Sequence, residues 1–291
     1  MLLHLFLLFD AIVMKLPRLW RKNLFIAFAL LAHLLAPKRN RIIQQNLDLA
    51  FQNTLSPDQK KEIENYCYRN LALNLLQTME NRRNSIQDLK DKVTFANREI
   101  VDEILSEGKG IVFVAAHYGN WELGGVAISS LITPIASIYK GFSRKEFDPY
   151  LHEARTRHHI TLAEKTGALK LMAKTLKNNG SIMIMMDQSA SPRYGVVADF
   201  LGHSAYHSAA AANLSLKFNR PIVGAKIQSN DEEHFTITFE NPIYVEEESP
   251  EAILKATKQQ VADLERLIKD DPKYWFWCHK RWKGKHFNIY Q

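Results

Sequence analysis

From residue 110 onward, short apolar or β-branched runs alternate with stretches of helical pattern, and this rhythm limits the chain to few folds. The runs cover 110–116, 134–139, 181–186, 222–227 and 235–239, and helical patterns near 120–131, 145–158, 167–178 and 204–218 mostly separate them. Such alternation predicts an α/β fold, a mixed and mostly parallel sheet flanked by helices on both faces. Upstream, Ser56-Pro57-Asp58-Gln59 carries a cap, a proline at the first helical position and a glutamine that completes a capping box, opening a helix to about Glu80. A further helix is predicted at 97–107, closed by Gly108 and Gly110, and Ser249-Pro250-Glu251 opens a last one. No repeat or Pro/Gly-rich linker divides the sequence, so residues 41–291 are expected to form one α/β domain behind an N-terminal segment, residues 1–40.

That segment holds two apolar runs, 1–9 and 24–36, around a basic stretch. The second run has 13 residues, fewer than the roughly 20 that span a bilayer core, which leaves a short span, an in-plane anchor, a buried helix or a signal-peptide core open. No clean cleavage site precedes Pro37, and two cysteines, Cys67 and Cys278, are too few for a disulfide framework. An uncleaved membrane anchor is therefore expected, with Trp20 and the basic cluster at the cytoplasmic interface. Neither cysteine has zinc-ligand spacing, and no metal site is expected.

The formal charge is +7 and unevenly spread. No Asp or Glu occurs between Ala11 and Leu47, where Lys15, Arg18, Arg21, Lys22, Lys38, Arg39 and Arg41 lie, and 273–286 is a second acid-free basic run. Both ends favour an anionic surface. Nucleic acid, phosphorylated lipid, acidic headgroups and an acidic carrier protein all qualify, and charge alone does not choose among them.

Chemistry concentrates in AAHYGNWELGG, residues 115–125, where His117 and Glu122 stand five positions apart. On a continuous helix that spacing leaves two side chains about 140° apart, so the chain must bend between them. Gly119 permits the turn, and Asn120 is a good cap for a helix starting at Trp121. His117 then ends a strand and Glu122 opens a helix, at the edge where open α/β sheets bind ligands. There the carboxylate of Glu122 can accept a hydrogen bond from one imidazole nitrogen while the other acts as a base. The plainer reading gives Glu122 to the helix dipole and His117 to an ordinary turn. H-E-x-x-H, G-x-G-x-x-G and the P-loop pattern are absent. The stretch around Ser204 lacks the second glycine of a nucleophile elbow, so Ser204 is expected to cap a helix.

Together with DQSASPRYGVVADFLG (187–202) and WCHKRWK (277–283), the 115–125 block resembles the lipid A biosynthesis acyltransferases, which add secondary acyl chains to lipid A precursors at the bacterial inner membrane. The resemblance implies His117 as general base with Glu122 as its partner. It implies substrate-binding roles for Lys140, Arg155, Arg157, Asp187, Gln188, Arg193, His279 and Arg281. Lys140 stands where the family usually has Arg, a point charge in place of a planar fork, and His207-Ser208 replaces a Thr-rich stretch. The donor so implied is acyl-acyl carrier protein, the acceptor a hydroxyl of a lipid A precursor of the Kdo-lipid IVA type, and the setting the cytoplasmic face of the inner membrane, with no cofactor and no nucleic acid. Backbone N–H groups near Gly119, or Lys140, would meet charge developing on the thioester oxygen. The runners-up are an acyltransferase of the same architecture acting on another membrane lipid and a non-catalytic basic protein, for which the aromatics and cations of 274–287 could stack bases.

Overall fold

The computed structural model describes residues 2–141, 144–164 and 167–291, so the first residue of the N-terminal apolar run lies outside it. Helices α1 (Leu2–Val13), α2 (Arg18–Leu35) and α3 (Pro37–Phe51) lead into the long α4 (Pro57–Asn81). Ser56 caps α4 as expected, its hydroxyl accepting the Gln59 N–H at 3.2 Å while the Gln59 side chain accepts the Ser56 N–H at 2.8 Å. The order continues with α5 (Ile86–Lys92), β1 (Val93–Ala96), α6 (Arg98–Ser106), β2 (Val112–Ala115), α7 (Trp121–Leu131) and β3 (Ile135–Tyr139). Next come α8 (Asp148–Thr156), β4 (Ile160–Glu164), α9 (Ala168–Lys177), β5 (Ser181–Met185), β6 (Gly195–Phe200) and β7 (His203–Ser208). The chain closes with α10 (Ala210–Phe218), β8 (Ile222–Gln228), β9 (Phe235–Phe239), α11 (Pro250–Asp270) and an irregular C-terminal segment.

Seven strands form one sheet in the order β1-β9-β8-β2-β5-β3-β4, parallel throughout except where β8 meets β9. Alternate residues of the central strands enter opposite layers: Val112, Val114, Ile182 and Ile184 pack towards α4, α9, α10 and α11. Phe113, Met183, Val223 and Ile227 pack against α6 and α7. Burial on both faces explains why these strands read as continuous apolar runs.

The structure departs from the sequence reading in two places. The stretch 204–218 was expected to be one helix, yet its first part is β7, paired antiparallel with β6, and the helix begins only at Ala210. Ser204 accordingly caps nothing; its hydroxyl donates to Asp199 Oδ1 across the hairpin at 2.9 Å. Strands β1 and β4, which the sequence reading did not find, are the two edge strands of the sheet, and each is only partly buried along its length.

Among the described residues no single helix is long and apolar enough to cross a membrane; α2 and α3 together have the length, but are bent by 88°. Helix α2 lies along α4 with Phe25 buried, and Asp10 of α1 is buried beside Arg82, Arg83 and Tyr150. Much of the basic cluster turns inward: Lys22 pairs with Glu232 at 2.9 Å, Arg21 with Glu80 at 3.4 Å, and Arg18 with Glu233. Trp20 remains two-thirds exposed, and Leu34 and Leu35 about three-quarters.

Candidate active site

The bend demanded by the spacing of His117 and Glu122 is present. Strand β2 stops at Ala115, Gly119 turns the chain with φ +58°, and Asn120 caps α7 by accepting the Leu123 N–H at 3.1 Å. Any Cβ at Gly119 would overlap the carbonyl oxygen of Ile227. From the other side the C-terminal segment clasps this turn: Phe276 N–H donates to His117 O at 2.9 Å and Gly119 N–H to Tyr274 O at 3.1 Å. The Gly119 N–H, expected as a donor for developing charge, is therefore already engaged.

The carboxylate that meets the imidazole is Asp187, not Glu122. Asp187 Oδ1 lies 2.9 Å from His117 Nδ1, and its Oδ2 accepts the His117 backbone N–H at 3.1 Å and the Trp275 indole N–H at 3.0 Å. Ala115 and Met185 are register partners on adjacent parallel strands, and His117 and Asp187 stand two residues beyond them. Burial pushes the Asp187 carboxyl up, but the charge and hydrogen bond of His117, with His279 adding, hold it far below the usual carboxylate range. For His117, burial lowers the pKa, yet the charge and hydrogen bond of Asp187, with Glu122 acting from farther away, raise it above the ordinary imidazole value.

Glu122 is gripped instead by Arg155, reached from α8: Nη2 donates to Oε1 at 2.6 Å and Nε to Oε2 at 3.1 Å. Burial lowers the Arg155 pKa, but the Glu122 carboxylate more than reverses this. Such a two-point fork fixes the orientation of a carboxylate as well as its charge.

His117, Trp121, Glu122, Arg155 and Lys140 line one cleft with Ser137, Ile138, Tyr139, Met183 and Met185; its cavity volume is about 240 Å³. An apolar hollow between α7 and the sheet, walled by Gly124, Ile128, Ile227 and Ile237, adjoins it and shares Trp121, Gly125, Met183 and Met185. That hollow holds only about 30 Å³, whereas the cleft itself carries Ile138, Ile160, Leu162, Met183 and Met185 beside its polar groups.

The other expected substrate-binding residues are dispersed. Arg157, two positions past Arg155 and so on another face of its helix, is exposed away from the cleft lining. Gln188 and Arg193 are exposed in the segment after β5, with the Arg193 guanidinium over Tyr194. His279 faces inward, Nε2 at 3.2 Å from Asp187 O and Nδ1 at 2.8 Å from Phe276 O, and burial lowers its pKa. Arg281 is fully buried, against the expectation of a substrate contact: it donates to Tyr206 O at 2.9 Å and to His207 Nδ1 at 2.9 Å, and lies over Phe200. Burial pulls its pKa down to about 10, with the charge of Asp187 working against the fall. Among the described residues no group of three or more His, Cys, Asp or Glu could hold a metal ion.

Sequence reasoning missed Trp275 as a donor to Asp187. Its segment reads as aromatic and basic, suited to stacking bases or lying at an interface. In the fold, Trp275, Trp277 and Trp282 are all fully buried, which takes the three tryptophans out of any stacking surface. Also missed was the buried row of amides on α4, whose sequence signal was polar residues repeating on one helix face.

Over residues 1–284 the chain matches a family model described as bacterial lipid A biosynthesis acyltransferase. No curated protein matches it.

Proposed function

The chain belongs to the bacterial lipid A biosynthesis acyltransferase family, and from that premise we propose that this acyltransferase moves a fatty acyl chain from acyl-acyl carrier protein to a hydroxyl of a lipid A precursor of the Kdo-lipid IVA type, with His117 as general base. The observation that carries this reading is the hydrogen bond between His117 Nδ1 and Asp187 Oδ1, which leaves Nε2 as the nitrogen able to take a proton. A lipid hydroxyl attacks a thioester slowly unless a base removes its proton as the bond forms, and a positioned imidazole contributes roughly 10²–10⁴ in rate. Asp187 holds the tautomer and stabilises the imidazolium. Glu122, which the sequence reading cast in that part, acts through space on His117 and, with Arg155, shapes the acceptor side of the cleft.

Attack on the thioester carbonyl forms the new ester bond, breaks the C–S bond and sends the proton from His117 to the departing thiolate. Lys140, just past β3, lines the cleft, and that supports giving it the part of donor to the oxygen's developing charge. The apolar wall of the cleft, with Ile138, Ile160, Leu162, Met183 and Met185, suits the acyl chain next to the thioester, since a methylene chain gains about 0.8 kcal/mol per buried CH₂. Leu5, Leu8 and Ile12 on α1 and Leu30, Leu31, Leu34 and Leu35 on α2 are exposed, so each helix carries apolar side chains on its outer surface. Those side chains support seating in the plane of a bilayer, with the acceptor drawn from the lipid beside it.

The test is to incubate purified protein with acyl carrier protein thioesters and a panel of lipid acceptors, and to weigh the products. A lipid A precursor gaining one acyl mass is the expected result. Acylation of a different membrane lipid in preference would replace the acceptor, and no transfer to any lipid would remove the reading.

A further inference from the structure

Helix α4 carries Asn70, Asn74, Gln77 and Asn81 on one face, all of them buried. Buried carboxamides persist only where donors and acceptors are matched, because an unmade hydrogen bond costs more there than a made one gains. The partners of this row lie largely on the turn between His117 and Glu122. Asn74 Nδ2 donates to Gly119 O at 2.9 Å and to Asn70 O at 2.9 Å, and Asn74 Oδ1 accepts the Glu122 N–H at 3.2 Å. Asn81 Nδ2 donates to Glu122 O at 3.3 Å and is itself oriented through Oδ1, which accepts from Gln77 at 2.7 Å. Gln77 Oε1 accepts from Asn120 Nδ2 at 3.4 Å.

The N–H of Glu122 is one of the first-turn donors that no helix satisfies internally, and a residue from another helix takes it. Asn74 thus touches the backbone on both sides of Asn120: the carbonyl before it, which follows His117, and the amide after it, which belongs to Glu122. Its two N–H groups and its oxygen are all used, so only one orientation of the amide fits.

We propose that Asn74 is a positioning residue for acyl transfer, setting the distance between the imidazole and the Glu122–Arg155 pair by clamping the turn at both ends. This rests on the reading that His117 is the base. The reacting geometry tolerates little error, and a displacement of about 1 Å can cost on the order of 10²-fold in rate.

The experiment measures kcat, KM for the acyl-acyl carrier protein and the pH–rate profile for wild type, Asn74→Ala, His117→Ala and Leu76→Ala. Leu76, on the α4 face that packs against Phe25 and Val13, reports what loosening the helix alone does. The expected result for Asn74→Ala is a kcat lower by about 10- to 10²-fold per folded molecule at unchanged KM. Its acid limb should also move to lower pH as Glu122 drifts from His117, while Leu76→Ala loses thermal stability but keeps kcat and limb. Should Asn74→Ala not fold, Asn81→Ala, which frees the Glu122 carbonyl and the Gln77 amide but leaves both Asn74 contacts to the turn, carries the same expectation in weaker form. A wild-type kcat and unmoved limb in the folded variant, with His117→Ala inactive, overturns the positioning role alone. An active His117→Ala overturns the functional reading and this role with it.

Discussion

His117 and Asp187 are each two residues past a register-paired strand end, and that shared offset brings Nδ1 within 2.9 Å of Oδ1 across 70 residues of sequence. The consequence is testable in pH. His117 accepts a proton only when neutral, and its pKa is raised, with Asp187 the cause that overcomes burial. The rate should fall as pH drops through a value above the ordinary imidazole pKa. In Asp187→Asn the raising charge is gone while burial still lowers the pKa, so the acid limb should shift to lower pH. On the plateau kcat should drop by about 10²-fold or more, because the tautomer is no longer held. A pH–rate profile of both proteins checks this; an unshifted limb means that Asp187 does not set the base.

Arg155 and Glu122 make a two-point contact on the cleft wall. Arg155→Lys keeps the charge and loses the fork, which should cost about 1–2 kcal/mol of stability and lower kcat by roughly tenfold. Paired thermal unfolding and steady-state kinetics measure both. A wild-type kcat in Arg155→Lys shows that charge alone suffices there.

His207 accepts from the buried Arg281, so its ring must stay neutral in the fold. Burial, and then the Arg281 charge, lower its pKa to about 3. The unfolded ring takes its proton near 6.5. Between these values the unfolded state binds more protons, so this contribution is complete above the unfolded pKa and is lost as pH falls. The loss amounts to roughly 2 kcal/mol from about pH 7 to about pH 5. His207→Asn keeps an acceptor and should flatten that part of the stability–pH curve, which denaturant titrations at the two pH values read directly.

The exposed apolar side chains of α1 and α2 should bind lipid vesicles. Replacing Leu30 and Leu34, both more than half exposed, by Glu removes apolar contact and adds charge, which should weaken vesicle binding by at least about tenfold without unfolding the protein. Co-sedimentation of both proteins with anionic vesicles is the measurement, and equal binding would place the contact elsewhere.

Much of this was legible in the residues themselves. The caps at Ser56, Asn120 and Ser249 and the turn at Gly119 are local chemistry, and each sits where its sequence predicts. Period and burial also announced the central strands. The pairing of carboxylates was not legible, because it depends on which strands are neighbours: Glu122 is close to His117 in sequence, while Asp187 is close in register. Arg281 misled for a related reason, since a basic residue in a basic run carries no mark of burial until the hairpin that covers it, β6 with β7, is placed. The amides of α4 gave a helix of weak amphipathic contrast, because the surface they cover is itself a polar backbone turn.

The most direct test of the proposed chemistry is a single-turnover transfer from acyl-acyl carrier protein to a lipid A precursor by wild type and His117→Gln, with the intact mass of the protein followed through the turnover. Direct transfer predicts acylated lipid from the wild type, a rate at least about 10²-fold lower in the variant, and no mass gain on either protein at any time. A variant as fast as the wild type, or an acyl group trapped on a residue such as Ser204 or Cys278, would contradict it.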